Sequence, residues 1–135
     1  MTATLQGLLP FLTYFGTGLA AMVLFKFLYA LLTPYDEWTL VTQQKNTAAA
    51  ISIGGALLGF TLALAAAASN SVAYNDFLIW AGIAMAAQLL TFTLVRFVVL
   101  PSIVEKIKNN EIAGAVVLAS INISVGLFNA ACMTY

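Results

Sequence analysis

Histidine is absent from this 135-residue sequence, and cysteine occurs once, as Cys132. Charge is scarce too, since five basic and five acidic residues cancel and charged side chains make up 7% of the chain. The lack of histidine excludes imidazole acid–base catalysis, and a single cysteine excludes an intramolecular disulfide and a cysteine–histidine metal cluster. The balanced charge leaves no basic surface for nucleic acid. We therefore expect no metal, no cofactor and no nucleic-acid partner.

Apolar residues are what the chain has in excess. They make up 62% of the sequence, and the mean hydropathy is +0.99. A soluble domain is roughly 45–50% apolar and about 25% charged. A domain of this length leaves too much of its surface exposed to hide such a composition from water. The composition indicates a protein that spans a membrane several times.

Four stretches are long and apolar enough to cross a bilayer, which takes about 20 residues in a helix. They cover 7–32, 48–68, 77–100 and 113–133. Short connections join them, and no soluble domain remains. We predict an all-α integral membrane protein with four transmembrane helices, organised as a single membrane domain over 1–135.

The basic residues indicate the orientation. Lys45 lies in the first connection, and Lys106 and Lys108 lie in the third. Lys26 and Arg96 lie in the halves of the first and third spans that lead into those connections. Cytoplasmic loops collect lysine and arginine. The pattern therefore predicts that the first and third connections face the cytoplasm and that both termini are periplasmic.

The two halves of the chain follow the same order of events. In each, a span ends at a proline, Pro34 or Pro101, a short amphipathic elbow follows, and an asparagine, Asn46 or Asn110, precedes a span rich in small residues. We expect both asparagines to cap the helices that follow them. The pattern indicates two parallel helix-pair repeats, 7–68 and 77–133, related by an axis along the membrane normal. Offsets of 67 and 65 residues both align the halves, so the register stays open.

The first elbow carries an interfacial pattern of aromatic and acidic residues: Tyr35, Asp36, Glu37 and Trp38. Aromatic rings at this depth favour the headgroup region, and the carboxylates favour water. One interpretation is an elbow anchored in the headgroups. The other is a docking surface for a cytoplasmic protein partner.

Two spans carry stripes of small and polar residues at helical spacing. The second span has Ser52, Gly55 and Gly59, and the fourth has Asn122, Gly126 and Asn129. Small residues let helices approach closely, and asparagine forms hydrogen bonds across the contact. The stripes are therefore packing surfaces, between spans two and four or between subunits, or else they line a path for ions or small solutes. A dimer or larger homo-oligomer is expected to bury the three glycines.

The third polar group consists of Lys26, Arg96 and Gln88. Both cations are close enough to the predicted cytoplasmic ends of their spans to reach the headgroups, and Gln88 lies two turns before Arg96 on the same face. They either bind lipid headgroups or form a positive vestibule at the cytoplasmic end of a path.

Catalytic groups are not apparent. No aspartate or glutamate lies in the interior of a span, and the adjacent Asp36 and Glu37 do not share a helix face. No nucleophile–base pair, metal-ligand cluster or phosphate-binding glycine loop can be assembled. The leading hypothesis is a non-enzymatic oligomeric channel or permeation unit for small ions or solutes. The alternative is a structural scaffold whose cytoplasmic elbows recruit a partner.

Several short runs occur here in a combination known from one family. They are Thr-Pro-Tyr-Asp-Glu-Trp at 33–38, Lys-Asn-Thr-Ala-Ala at 45–49, Gly-Gly-Ala-Leu-Leu-Gly at 54–59, Phe-Asn-Ala-Ala-Cys-Met-Thr at 128–134, and Arg96 ahead of Pro101. Over nearly the whole chain, the sequence resembles the YjfL-like family of bacterial inner-membrane proteins. The resemblance implies a four-span inner-membrane protein of two helix pairs and supplies no reaction. It also implies a link to envelope stress, because similar proteins are often encoded near membrane-stress and phage-shock-type genes.

Overall fold

The computed structural model describes residues 2–33, 37–99 and 102–133, and these residues are almost entirely helical. Four long helices and two short ones follow one another along the chain, together with one π-helical segment. Their bounds are α1 Thr2–Leu31, α2 Glu37–Thr42, α3 Thr47–Asn70, α4 Tyr74–Leu94 with the π-helix Val95–Val99 continuing it, α5 Ile103–Lys108 and α6 Ile112–Ala131. The predicted all-α fold class is confirmed.

The long helices agree with the predicted spans. In the described residues four helices are long and apolar enough to cross a membrane, at Thr4–Leu31, Thr47–Asn70, Tyr74–Val98 and Ile112–Ala131. These bounds differ from the predicted ones by a few residues, because helix ends fray and hydropathy does not fix the residue at which a helix begins. Pro34 and Pro101, which were expected to end the first and third spans, lie outside the described residues.

Both short helices lie at one end of the bundle, which we call the elbow end. The amide Nδ2 of Asn46, just before α3, donates to the carbonyl of Ile107 in α5 at 2.9 Å. The starts of α3 and α6 are therefore adjacent, so these two helices run parallel and α1 and α4 run antiparallel to them. A long–short–long order thus occurs twice, as the repeat hypothesis expects, while the duplication itself stays a prediction.

The helices differ sharply in how much of each is buried. In its most apolar stretch α3 has 56% of its residues buried, α4 and α6 have 28% each, and α1 has 6%. Packing of α3 against α6, α4 and α1 makes it the central helix of the bundle. Large apolar side chains cover the outside of α1, including Leu9, Phe11 and Leu31, as expected for a helix solvated by lipid.

Candidate functional site

A very close contact joins the middles of α3 and α6. A Cβ atom added to Gly59 would lie 2.2 Å from the backbone oxygen of Asn122, and one added to Gly126 would lie 2.1 Å from the backbone oxygen of Gly59. Real Cβ atoms do not approach so closely, so only glycine fits at both positions. The two helices therefore touch through their backbones, as small-residue stripes allow.

The same contact continues one turn towards the elbow end. A Cβ atom on Gly55 would lie 2.4 Å from the Cβ atom of Ala119, and both residues are buried. The three glycines that we expected an oligomer to bury are thus buried within a single chain. That expectation is corrected here, because α3 and α6 of one molecule run parallel and supply both small faces.

Ser52 lies in the same interface, nearer the elbow end. It is fully buried, and its Oγ atom is 3.1 Å from the hydroxyl oxygen of Tyr29 in α1. The Tyr29 ring also packs on Phe92 of α4, with centroids 4.5 Å apart. Ser52 therefore connects α3 to α1 instead of facing an open path. Tyr29 was not among the predicted site residues, because it carries no signal beyond being an aromatic residue in an apolar span.

The side chain of a buried glutamine reaches the backbone of a buried asparagine at the middle of the bundle. Gln88 of α4 donates through Nε2 to the backbone oxygen of Asn122 in α6 at 3.2 Å, and each side chain is 1% exposed. The remaining amide atoms, Oε1 of Gln88 and Nδ2 of Asn122, are buried without a hydrogen-bond partner. A buried polar atom left unpaired costs about 1–3 kcal/mol. These two unpaired atoms therefore bring an energetic cost into the spans.

Asn129 differs from Asn122 although both lie on the predicted stripe. It is half-buried, and its Nδ2 atom lies 3.5 Å from the carbonyl oxygen of Ala84 in α4. Asn129 thus contacts α4 through its side chain, whereas Asn122 accepts from α4 through its backbone oxygen. The structure places every residue of the two stripes in or beside helix contacts of a single chain.

Arg96 lies where the α-helical winding of α4 changes to a π-helix. Its guanidinium donates through Nη1 to the backbone oxygen of Leu32, just beyond the end of α1, and lies 4.8 Å from the centroid of the Phe97 ring. Gln88 does not share this position, because it lies about 12 Å deeper at 1.5 Å per residue and faces α6. The expectation that Gln88 and Arg96 act together at the end of a path is therefore corrected.

Lys26 points from α1 towards the first elbow. Its Nζ atom lies 5.0 Å from the centroid of the Trp38 ring in α2 and 4.8 Å from that of Phe27. Trp38 itself is 54% exposed. The lysine side chain thus extends to the elbow, as a cation in a span does when it reaches for the headgroup region.

The two elbows are joined by a pair of asparagines. Asn46 accepts from the amide of Ala49 at the start of α3 and donates to the carbonyls of Ile107 and, at 3.4 Å, Lys108. Asn110 accepts from the amide of Ala48, also at the start of α3. We call these two residues and the backbone groups that they bind the asparagine clasp. It fastens the end of α5 to the beginning of α3.

The prediction that Asn46 caps the helix after it is confirmed, but the matching prediction for Asn110 is wrong. Glu111 occupies the capping position of α6, and the side chain of Asn110 serves α3. The reason is backbone geometry, since Asn110 has φ 58° and asparagine tolerates this left-handed conformation, which redirects its side chain.

The remaining elbow residues are only partly described. The helix α2 begins at Glu37, whereas Tyr35 and Asp36 lie outside the described residues. Across the part of the chain that the structure describes, no group of three or more histidine, cysteine, aspartate or glutamate side chains is placed to hold a metal ion.

Comparisons with known proteins agree on one family. Residues 3–133 match the model of a Domain of Unknown Function, DUF350, and the chain belongs to this family. The protein called "UPF0719 inner membrane protein YjfL" in two strains of Escherichia coli is 41% identical over 131 residues, which cover 97% of this chain and 98% of the relative. No solved structure shows a significant match. The relative and the four apolar helices support a multi-pass protein of the inner membrane.

Proposed function

We propose that this member of the DUF350 family is a membrane scaffold without enzymatic activity, whose spans hold a docking platform for a cytoplasmic protein. The platform consists of residues 37–46 and 102–111. The observation that carries the proposal is the asparagine clasp, which fastens the second elbow to the start of α3. A surface fixed in this way keeps its shape without a bound partner, which lowers the ordering cost of docking.

The exposed side of the platform is polar and carries both positively and negatively charged side chains. Lys45, Glu105, Lys108 and Glu111 are exposed there, and Trp38 adds a large aromatic surface. Aromatic residues are enriched among the residues that carry binding energy at protein interfaces. The scaffold would serve envelope maintenance, the role that the family resemblance implies.

The test is site-specific photo-crosslinking in living cells. We expect a photoreactive residue at Trp38 or Gln44 to trap one discrete protein, because both positions are on the exposed side of the platform. The control position is Leu58, which is 50% exposed on α3 within the apolar span. Recovery of lipid alone from all three positions would contradict the scaffold proposal.

The variant Asn46→Ala sharpens this test. If the clasp holds the platform in shape, the variant inserts in the membrane but loses most of the protein adduct from Gln44. The matched control is Asn109→Ala, since Asn109 is exposed and makes no side-chain hydrogen bond among the contacts of the described residues. An unchanged yield of the protein adduct from Gln44 in Asn46→Ala would show that docking does not depend on the clasp.

A channel is the second candidate, and the unpaired amide atoms at the bundle middle favour it. Oε1 of Gln88 and Nδ2 of Asn122 are an acceptor and a donor that a permeating polar solute would satisfy. Both side chains are buried, so permeation requires α4 to move away from α6, within one chain or as part of a homo-oligomer. Ion flux through proteoliposomes, changed by Asn122→Leu and Asn129→Leu while the fold persists, would support it; bilayers that stay silent across salts and voltages would count against it.

The orientation belongs to the same proposal, with both termini periplasmic and the platform cytoplasmic. Cys132 is exposed near the end of α6 and provides a native reporter. An impermeant thiol reagent added to intact spheroplasts is expected to label it. Labelling only after the membrane is permeabilised would reverse the orientation and move the platform to the periplasm.

A further inference from the structure

Arg96 is the one arginine in the sequence, and its surroundings satisfy it only in part. A guanidinium carries several N–H donors in a planar fork, and it stays charged at any depth in a membrane. The contacts of Arg96 in the described residues are one hydrogen bond to the backbone oxygen of Leu32 and the ring of Phe97. No described carboxylate lies within ion-pair distance of it. The rest of the fork therefore has no protein acceptor in that part of the chain.

The position of Arg96 limits what can satisfy the remaining donors. The side chain is half-buried and lies three residues before the end of the π-helix, close to the elbow end. A cation within a span pairs with an anion, a carbonyl or the headgroup layer. Leu32 already supplies the carbonyl, and its location beyond the end of α1 shows that the guanidinium is directed towards the membrane boundary.

We propose that Arg96 binds the phosphate group of a membrane phospholipid at the elbow end, between the end of α1 and the π-helix. The fork of a guanidinium matches two oxygens of a phosphate, and such charge-assisted bonds are about twice as strong as neutral ones. The protein supplies one acceptor from Leu32, and the lipid supplies the negative charge that no described carboxylate places within ion-pair distance of Arg96. Phosphate binding at this site requires neither a docked protein nor a permeating solute, so this inference does not depend on the proposed function.

Helical spacing explains why the arginine faces α1. Residues four apart lie on the same side of a helix, so Arg96 has the same direction as Phe92. Phe92 lies on the Tyr29 ring at 4.5 Å, and Arg96 follows one turn later, beside Leu32. The ring of Phe97 covers one side of the guanidinium. The site is thus built from α4 and the end of α1 together.

Lys26 provides the contrast. Its ammonium group lies over the rings of Trp38 and Phe27, and both contacts are with aromatic surfaces. Cation–π contacts of this kind suit an ammonium group at the interface and need no phosphate. We therefore assign the bound phosphate to Arg96 and not to the pair of basic residues.

The experiment is a solid-state NMR measurement of the ¹⁵N–³¹P dipolar coupling on unmodified protein. Feeding ¹⁵N-arginine labels a single guanidinium, so any dephasing by phosphorus reports on Arg96. In phosphatidylglycerol bilayers we expect strong dephasing. When the phospholipid is diluted about tenfold into phosphate-free galactolipid, dephasing at a built site should fall less than about twofold, because the site retains its charge-assisted phosphate.

The lysines are the internal control. A second sample with ¹⁵N-labelled lysine reports on the four lysines together, and two of them, Lys45 and Lys108, are exposed in the elbows. Their dephasing should fall in proportion to the dilution. If the dephasing of Arg96 falls in the same proportion, the guanidinium only touches the headgroup layer and the proposal is wrong. If Arg96 shows no dephasing even in undiluted phosphatidylglycerol, the proposal is wrong as well.

A third sample identifies the source of the phosphate. Pure galactolipid bilayers receive inorganic phosphate at the same total phosphorus as the diluted sample, and we expect little dephasing there. Equal dephasing would assign the site to a free anion and overturn the lipid assignment. Native mass spectrometry adds an independent readout, in which Arg96→Gln loses most of its phosphatidylglycerol adducts while Lys108→Gln, with the same charge change, retains them.

Discussion

The contact between α3 and α6 is made by backbone, whereas α1 is held to the bundle by a few side chains. Gly59 and Gly126 bring the two parallel helices together at their middles. In α1, aromatic rings pack on the bundle: Phe25 on Phe60 at 4.6 Å, near the middle of α3, and Tyr14 on Phe77 at 5.0 Å, near the end away from the elbows. The same apolar composition thus produces one tight interface and one loose interface.

Open space flanks α1 on both sides. A groove of about 520 Å³ separates it from α3, and a second of about 300 Å³ separates it from α4. In a bilayer, lipid tails are as apolar as leucine, so burying leucine against another helix brings little gain. Close backbone packing and hydrogen bonds decide which helices hold together. The comparison shows that the stability of this protein depends on small residues and polar pairs and not on the area of buried apolar surface.

The largest effect is expected from a side chain in the backbone contact. Gly59→Leu places atoms where the backbone oxygen of Asn122 lies, so α3 and α6 must separate. Overpacking a tight interface costs about 3 kcal/mol or more. We expect that loss in the free energy of unfolding, measured by denaturant titration in mixed micelles. The matched control is Gly54→Ala, since nothing lies within 4 Å of a Cβ atom at Gly54; equal losses in the two variants would refute the backbone contact.

The asparagine clasp ranks second. Asn46→Ala removes a helix cap and two contacts with the carbonyls of α5, and together these are worth about 2 kcal/mol. The loss should appear as faster hydrogen exchange at Ala49 and at the end of α5. Asn109→Ala leaves exchange unchanged if the clasp is specific. Equal protection in both variants would show that the elbows are held together by other contacts.

Ser52→Ala tests the link between the tight interface and α1. It removes the buried hydrogen bond to Tyr29, and such bonds between membrane helices average about 0.6 kcal/mol. The same unfolding titration measures it. Ser120→Ala is the control, because Ser120 is exposed and its hydroxyl bonds only to Val116 in its own helix. A loss above about 2 kcal/mol would mean that α1 is held more firmly than the contacts indicate.

The smallest effect is expected on the lipid-facing side of α1. Leu12 is 53% exposed, and Leu12→Ala exchanges one apolar contact with lipid for another. The free energy of unfolding should change by less than about 0.5 kcal/mol, the range typical of surface substitutions. A loss comparable with that of Gly59→Leu would show that this side of α1 is covered by protein and would remove the contrast between the two interfaces.

Hydropathy alone predicted the spans well, because a helix that crosses a bilayer needs a fixed length of apolar residues. The helical spacing of small and polar residues also singled out Gly55, Gly59, Asn122 and Gly126 as one kind of surface. It left open whether that surface packs within a chain or between chains. The answer depends on the direct packing of α3 against α6 within one chain, which no local pattern encodes.

The candidate sites were predictable to different degrees. Arg96 stood out as the single arginine in an apolar span, and the structure adds only its partner, Leu32. The sequence predicted only half of the clasp. Asn46 caps α3 as predicted, whereas the side chain of Asn110 binds the start of α3 instead of capping α6. No sequence pattern distinguished Tyr29 from the other aromatic residues. Its role depends on Ser52, which is 23 residues away in sequence.

Composition by itself determined that this chain is a four-span, all-helical membrane protein, because each span must satisfy its own backbone hydrogen bonds in lipid. Tertiary structure alone decided which polar groups meet: Gln88 with Asn122, Asn110 with Ala48, and Arg96 with Leu32. The physical reason is that lipid imposes no order on apolar faces. The few close approaches and hydrogen bonds between distant residues select one arrangement, and they exist only once the helices have packed.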